Sequence, residues 1–209
     1  MAVRTAVGGD PQGYALESEE FDLPTNFNPA QNGKFWPITS SVSLRFTDKA
    51  IQDAEANAEQ AAADFQARYL AAAMSSNQAA MEAAMQEMMR AESGDGTIKE
   101  DMNVNVQFNM NPYAGIDPDG VLFEKSGVIA LVDDSVSGTN SQVVVYFDPI
   151  ALRETETLSK VELRTPQEGV SNRSGVFNVT VTLYGALEDL KSLAQGIDTS
   201  AVLAVIDSQ

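Results

Sequence analysis

The chain has 209 residues, 44% of them hydrophobic, and contains neither histidine nor cysteine. Disulfides, thiolate–metal sites and histidine-based acid–base catalysis are therefore excluded, and the composition favours a protein that is not an enzyme and holds no cofactor. Thirty acidic residues against thirteen basic ones give a formal net charge of −17, so neither nucleic acid nor an anionic membrane is an expected partner.

The first 40 residues combine many glycines and prolines with regularly placed apolar side chains. Phe21, Phe27, Phe35 and Trp36 are anchors of a kind that a disordered tail lacks. The interval 1–40 is therefore predicted to be an extended N-terminal arm that places aromatic side chains in another surface. The alternative is a loop-rich segment that packs on its own domain.

The interval 41–209 is predicted to form a single α+β domain. Val42, Leu44 and Phe46 alternate with polar residues, which indicates a short strand. A long Ala/Met-rich helix over about 48–92 and a β-rich part follow it.

The long helix is predicted because residues 49–92 contain no glycine or proline and are rich in alanine, glutamate, glutamine and methionine. Thr47 or Asp48 can cap its first turn. Apolar residues keep the spacing of a helix-packing seam on both sides of 75–77, where we expect a bend or break. Because a domain of this size needs no helix of that length, we expect the helix to mediate self-association.

The interval of about 102–206 is predicted to be β-rich, as a sandwich or a mixed sheet. Its clearest strand is 102–111, where five apolar residues alternate with an uncharged face of asparagine and glutamine. That amide face is expected either to be solvated or to bond to a neighbouring strand or chain. Further strands are expected at 121–123, 128–132, 143–147, 158–163 and 177–184.

Two further elements complete this part of the chain. Asp148 and Pro149 suit the cap and first position of a helix, so a short helix is predicted over 150–156. Near the C-terminus, a short helix with leucines at every third position precedes a predicted strand, Ala201–Ile206. With the strand at 177–184, these elements would form a compact parallel crossover unit.

Three carboxylates, Asp117, Asp119 and Glu124, lie within eight residues of one another. The sequence departs from the calcium-binding loop pattern, and Pro118–Gly120 is a common turn sequence, so a plain turn is favoured over a cation site. We assign no catalytic, cofactor-binding or metal-binding residue.

In organisation, the arm (1–40), the long helix (49–92) and the β-rich part (102–206) resemble virion structural proteins of tailed bacteriophages and related microbial viruses. In such proteins, arms and long helices join neighbouring subunits of a shell, neck or tail. The resemblance implies a location in the virion, homo-oligomeric contacts, other structural proteins as partners and no catalytic site. No motif fixes it, so no functional residue is carried over.

The main alternative is an extracellular or cell-surface binding module or adhesin. Such a protein would use the acidic loops of the β-rich part, with or without calcium, to hold a carbohydrate or a protein. A hydrolase built on a carboxylate pair is a poorer alternative, because with thirty acidic residues some pair always looks suitable.

Overall fold

The computed structural model describes residues 5, 9–24, 38–75, 77–92, 99–110, 113–116, 118–133, 141–154, 159–163 and 175–206. The chain divides into two compact units, which we call the sheet unit and the helical unit. The sheet unit comprises Met1–Pro11, Leu16–Phe46 and Asp101–Gln209, and the helical unit comprises Gln12–Ala15 and Thr47–Glu100.

Strands dominate the described part of the chain, and the predicted α+β class is confirmed. The strands are β1 (Tyr14–Asp22), β2 (Ser40–Asp48), β3 (Met102–Phe108), β4 (Tyr113–Ile116), β5 (Val121–Lys125), β6 (Val128–Asp133), β7 (Ser141–Phe147), β8 (Pro149–Glu154), β9 (Ser159–Leu163) and β10 (Val179–Gly185). The helices are α1 (Lys49–Met74), α2 (Gln78–Glu92), α3 (Leu187–Gly196) and α4 (Thr199–Leu203). The interval predicted as one helix over 48–92 thus holds α1 and α2.

Seven strands form one sheet in the order β1-β2-β3-β10-β7-β6-β5, and β4, β9 and β8 form a second, three-stranded sheet in the order β4-β9-β8. Every neighbouring pair from β2 to β5 in the larger sheet is antiparallel. The strands predicted at 121–123, 128–132, 143–147, 158–163 and 177–184 are found as β5, β6, β7, β9 and β10. The strand β1 lies inside the interval predicted as an arm.

One face of the larger sheet is apolar across five strands. In its central row, Val42, Val106, Val181, Val145 and Ala130 lie side by side on β2, β3, β10, β7 and β6. All five are buried. Because side chains alternate between the two faces of a strand, the period-two pattern of β2, β3 and β10 places all their aliphatic residues on this side.

The helices α3 and α4 belong to the sheet unit and pack against its central strands. The first contacts β7 and β10, and the second contacts β7. Leu190 and Leu193 of α3 and Val202 of α4 are buried. Their spacing of three residues in α3 gives that helix one apolar face, as the sequence predicted.

The predicted helix over 150–156 is wrong, because this interval begins in the strand β8. Asp148 has a φ of 54°, in the left-handed region, whereas a helix N-cap residue has extended backbone angles. Its N–H donates to the carbonyl oxygen of Gly127 at 2.7 Å. The chain therefore leaves the larger sheet at Asp148 and continues as a strand that pairs with β9 in the three-stranded sheet.

The predicted strand Ala201–Ile206 is also wrong, and with it the parallel crossover unit. The segment begins in α4, whose N-cap Asp198 accepts a hydrogen bond from the Ala201 N–H at 3.0 Å. Val202 and Ile206 are buried while Val205 is exposed, which is the four-residue spacing of a helical face. The composition of the segment was misleading, because its run of small and aliphatic residues fits both the two-residue period of a strand and the period of about 3.6 residues of a helix.

A buried asparagine ends β3 and joins three segments of the sheet unit. Asn109 has a φ of 56°, so the strand predicted to reach residue 111 stops at Phe108. Its Nδ2 donates to the carbonyl oxygens of Ile38 and Gly175, both at 2.9 Å. Its Oδ1 accepts from the Phe177 N–H at 2.7 Å. Asparagine tolerates the left-handed region better than most residues and also supplies both a donor and an acceptor.

Substitution of Asn109 by alanine should lower the free energy of unfolding by roughly 2–4 kcal/mol, because buried backbone groups lose their partners and alanine is strained at this φ. Chemical denaturation followed by circular dichroism measures the change. Asn103→Ala, at an exposed position of the same strand, is the matched control and should change stability little. Equal effects of the two substitutions would contradict the bridging role of Asn109.

Candidate functional site

The three carboxylates for which the sequence favoured a plain turn over a cation site lie only partly within the described residues. Asp119 lies in a 3₁₀ turn, Pro118–Gly120, and Glu124 lies on β5; both are exposed. Asp117 lies outside the described residues. Across the part of the chain that the structure describes, no group of three or more carboxylates is placed to hold a metal ion.

The face of the larger sheet opposite its apolar side is divided into two halves. On β6 and β7, Ile129, Leu131 and Tyr146 form a buried cluster with Val161 and Leu163 of β9, so the three-stranded sheet covers this half. The other half, which we call the polar face, carries Ser41, Ser43 and Arg45 of β2, Asn103, Asn105 and Gln107 of β3, and Thr180, Thr182 and Tyr184 of β10. The predicted amide face of β3 is thus its central column.

Arg45 is the one charged residue of the polar face, and its charge is balanced. Its Nε lies 2.9 Å from Glu17 Oε2 and its Nη2 lies 2.7 Å from Asp101 Oδ2. The hydrogen bond to Asp101 and the negative charge of Glu17 raise the pKa of Arg45 above its usual value. Because both ion pairs are exposed, they add little to stability and serve mainly to orient the side chains.

Two polar atoms at the centre of the polar face are buried without a hydrogen-bond partner. They are Asn105 Oδ1 and Thr180 Oγ1. Thr180 pairs with Gln107 and Thr182 pairs with Asn105, so the two atoms lie diagonally across β3 and β10. A buried polar atom without a partner costs about 1–3 kcal/mol, so this part of the sheet is less stable than its packing alone would make it.

Replacement of Thr180 by valine should therefore raise the free energy of unfolding, by about 1 kcal/mol, because valine has the same shape without the unpaired hydroxyl. Denaturant titration gives the value. The matched control is Thr182→Val, at the next position on the same face of β10. Its hydroxyl is not among the buried unpaired atoms, so a smaller gain is expected. A loss of stability in Thr180→Val would show that the hydroxyl is satisfied.

The helical unit is closed at its base by Asp48, which caps α1. Its Oδ1 accepts from the Ala50 N–H and its Oδ2 from the Lys99 N–H, both at 2.8 Å. The side chain is buried. These two backbone donors, that of Lys99 first, hold the pKa of Asp48 below its ordinary value. The carboxylate thus joins the start of α1 to the chain that returns from α2.

A second set of contacts strengthens the same base. The Lys49 N–H donates to the carbonyl oxygen of Gly13 at 2.9 Å. The Nζ of Lys99 lies 4.8 Å from the ring centre of Tyr14, which is buried. Gly13 has a φ of 85°, where a side chain would be strained, and a Cβ there would lie 3.4 Å from Lys99 Nζ. The glycine therefore allows the chain to approach Lys99 closely.

From this base, α1 and α2 run as a helical hairpin. The Ser75 Oγ donates to the carbonyl oxygen of Ala71 at 3.0 Å, and Asn77 Oδ1 accepts from the Ala80 N–H at 3.2 Å. Among the side chains of α1 and α2 that the structure describes, only Ala72 and Ala84 are buried. These described side chains therefore form almost no apolar core.

A row of exposed apolar residues runs along the opposite side of α1 from Ala72. Ala63, Ala67, Leu70 and Met74 are all exposed, Leu70 at 55% and Met74 at 90%. Their 4-3-4 spacing is that of a coiled-coil seam, and we call the four residues the α1 outer seam. At about 3.6 residues per turn, they share one side of the helix.

The α1 outer seam was missed from the sequence, because, of its four residues, only Met74 belonged to the helix-packing seam predicted on both sides of 75–77. A helix in which both sides carry alanines at seam spacing shows two overlapping patterns, and the spacing of 63, 67, 70 and 74 was the available signal. Of the aromatic anchors predicted for the arm, Phe21 lies on β1 and is exposed. Phe27, Phe35 and Trp36 lie outside the described residues.

Comparisons of the chain with protein-family models, with curated proteins and with solved structures found no match. Within the described residues, no helix has both the length and the apolar character that crossing a membrane requires. The interaction surfaces described above are therefore interpreted from their own chemistry.

The helical unit should lose stability in acid. Since the folded-state pKa of Asp48 lies below its ordinary value of 3.8, its contribution is complete above that value and is lost as the pH falls through the folded pKa. Helicity measured at 222 nm between pH 6 and 2 should show this loss. In Asp48→Asn the helicity should be lower at pH 6 and depend less on pH, whereas Asp53→Asn, at an exposed position of α1, should match the parent. Identical pH profiles for Asp48→Asn and the parent would overturn this role of Asp48.

Proposed function

We propose that this protein is a non-enzymatic structural protein of a virus particle, a component of a shell, neck or tail that associates with further copies of itself. The predicted contacts are those of the long helical segment and of the N-terminal arm. The observation that carries the proposal is the α1 outer seam, an exposed apolar stripe with coiled-coil spacing. It lies on a hairpin of whose described side chains few are buried.

A stripe of this kind is suited to a second helix. Alanines at 63 and 67 let two helix backbones approach closely, and Leu70 and Met74 supply apolar area and an adaptable shape. Leucine and methionine at adjacent seam positions are exposed to water in the isolated chain. Their burial in a contact would therefore stabilise that contact through the hydrophobic effect. Burial against the same stripe of another copy would give a symmetric, self-complementary contact.

The chain's charge fits a subunit that assembles only through defined contacts. A net charge of −17 makes free copies repel one another over the screening length of the solution. An apolar seam without charged residues is then a surface where two copies can meet at low electrostatic cost. Assembly should therefore strengthen as salt is added, because salt screens the repulsion and leaves the apolar contact intact.

The double substitution Leu70→Glu/Met74→Glu should convert an oligomer into a monomer, because it places charges in the seam. Light scattering after size exclusion measures the mass of each form. The control Gln66→Glu/Ala73→Glu adds the same charge at exposed positions of α1 outside the seam and should keep the parent's mass. Unchanged circular dichroism in both variants shows that the fold is retained.

Two further measurements, of the parent's mass at high salt and of the shape of any large species, also test the proposal. A parent protein that remains a monomer at high salt would overturn self-association through this seam, and so would an oligomer that both variants preserve. If the parent forms a large species, negative-stain electron microscopy should show rings, tubes or shells of uniform diameter. Irregular aggregates would contradict a particle component.

A further inference from the structure

The strand β1 forms one edge of the seven-stranded sheet. It precedes β2 in the strand order, and no strand in the described part of the chain pairs with its outer side. An edge strand presents a row of backbone N–H and C=O groups that another extended segment can use. The nine residues Tyr14–Asp22 provide an edge that is long compared with a typical strand.

Large apolar side chains lie exposed at the end of this edge. Phe21 is 60% exposed and Leu23, just beyond the strand, is 63% exposed. Two positions apart in an extended chain, they point to the same side of the sheet. An exposed edge with bulky apolar residues is a binding surface unless charges protect it from other copies of the same strand.

The charges of β1 determine which segment can bind there. The strand carries Glu17, Glu19, Glu20 and Asp22 and no basic residue. Glu17 is paired with Arg45, but among the described residues Glu19, Glu20 and Asp22 form no ion pair. A second copy of β1 would place like charges opposite one another, which is destabilising, so a homotypic pairing of two edges is disfavoured.

We propose that the β1 edge binds, by strand addition, an extended segment of a partner protein in which lysine or arginine alternates with bulky apolar residues. The backbone of the segment would hydrogen-bond to β1, and its apolar side chains would cover Phe21 and Leu23 on one side of the sheet. Its basic side chains would pair with Glu20 and Asp22 on the other side. Main-chain bonding supplies affinity in such additions, and the side chains supply selection. This surface is distinct from the α1 outer seam and does not depend on self-association.

The test uses the full chain and a fluorescently labelled seven-residue peptide in which lysine and valine alternate. Fluorescence anisotropy should show saturable binding that weakens as salt is raised. A peptide of the same sequence with methyl groups on alternate backbone nitrogens keeps every charge and apolar side chain but loses its donors along one edge. Its affinity should fall at least about tenfold, the equivalent of 1.4 kcal/mol.

Variants of the protein locate the binding surface. Phe21→Ser/Leu23→Ser and Glu20→Gln/Asp22→Asn should each weaken binding several-fold, the second with a smaller dependence on salt. Glu82→Gln/Glu100→Gln removes the same charge at exposed residues of the helical unit and should bind like the parent. All of these side chains are exposed, so the variants should fold, as circular dichroism will verify.

Three outcomes would overturn the proposal. They are the absence of saturable binding, equal affinity for the methylated peptide, and equal weakening by Glu20→Gln/Asp22→Asn and Glu82→Gln/Glu100→Gln. The last two would mean that the peptide responds only to net negative charge.

Discussion

The whole architecture depends on the pairing of β2 with β3. The residues Phe46 and Met102 are directly opposite each other in this antiparallel pair, although 55 residues separate them along the chain. The segment Thr47–Glu100, which is the helical unit apart from Gln12–Ala15, is therefore an insertion into the connection of a β-hairpin, and its two ends must meet within the spacing of neighbouring strands. The hydrogen bonds that Asp48 accepts from the Ala50 and Lys99 N–H groups meet that requirement within the helical unit. Both lie at the base of the unit, so the closure does not rely on the length or composition of the helices beyond them.

This arrangement assigns different physical tasks to different parts of the chain. The sheet unit contains most of the buried apolar side chains, in rows that cross five strands. The described residues of the helical unit include few, and its described helices depend on alanine propensity and on the closed base. Surfaces that remain open are found on both units: the α1 outer seam on one, and the β1 edge on the other. The residues that stabilise the fold and the residues of the two proposed contact surfaces are in this way largely separate.

Much of the sheet could be predicted from the sequence, for reasons visible in particular strands. β3 and β10 alternate strictly because one of their faces joins the core and the other is polar, and this is the condition under which a period of two appears. At 150–156 and 201–206 the prediction failed because the deciding features were a left-handed Asp148 and a capping Asp198, which depend on backbone conformation. The hydrogen bonds of Asn109 to Ile38 and Gly175 join segments distant in sequence, so no local sequence pattern predicts them. Exposure of Leu70 and Met74 could be judged only once the position of α2 was known.

Because the helical unit is closed at its base, its reach can change without any change in the sheet. Adding seven residues to each of α1 and α2 would lengthen the hairpin by about 10 Å and keep the seam on the same side, since seven residues make nearly two whole turns. The register of β2 against β3 would be unaffected. In the proposed association through the α1 outer seam, the number of heptads would therefore set the length of the contact, while the sheet and the mode of contact stayed the same.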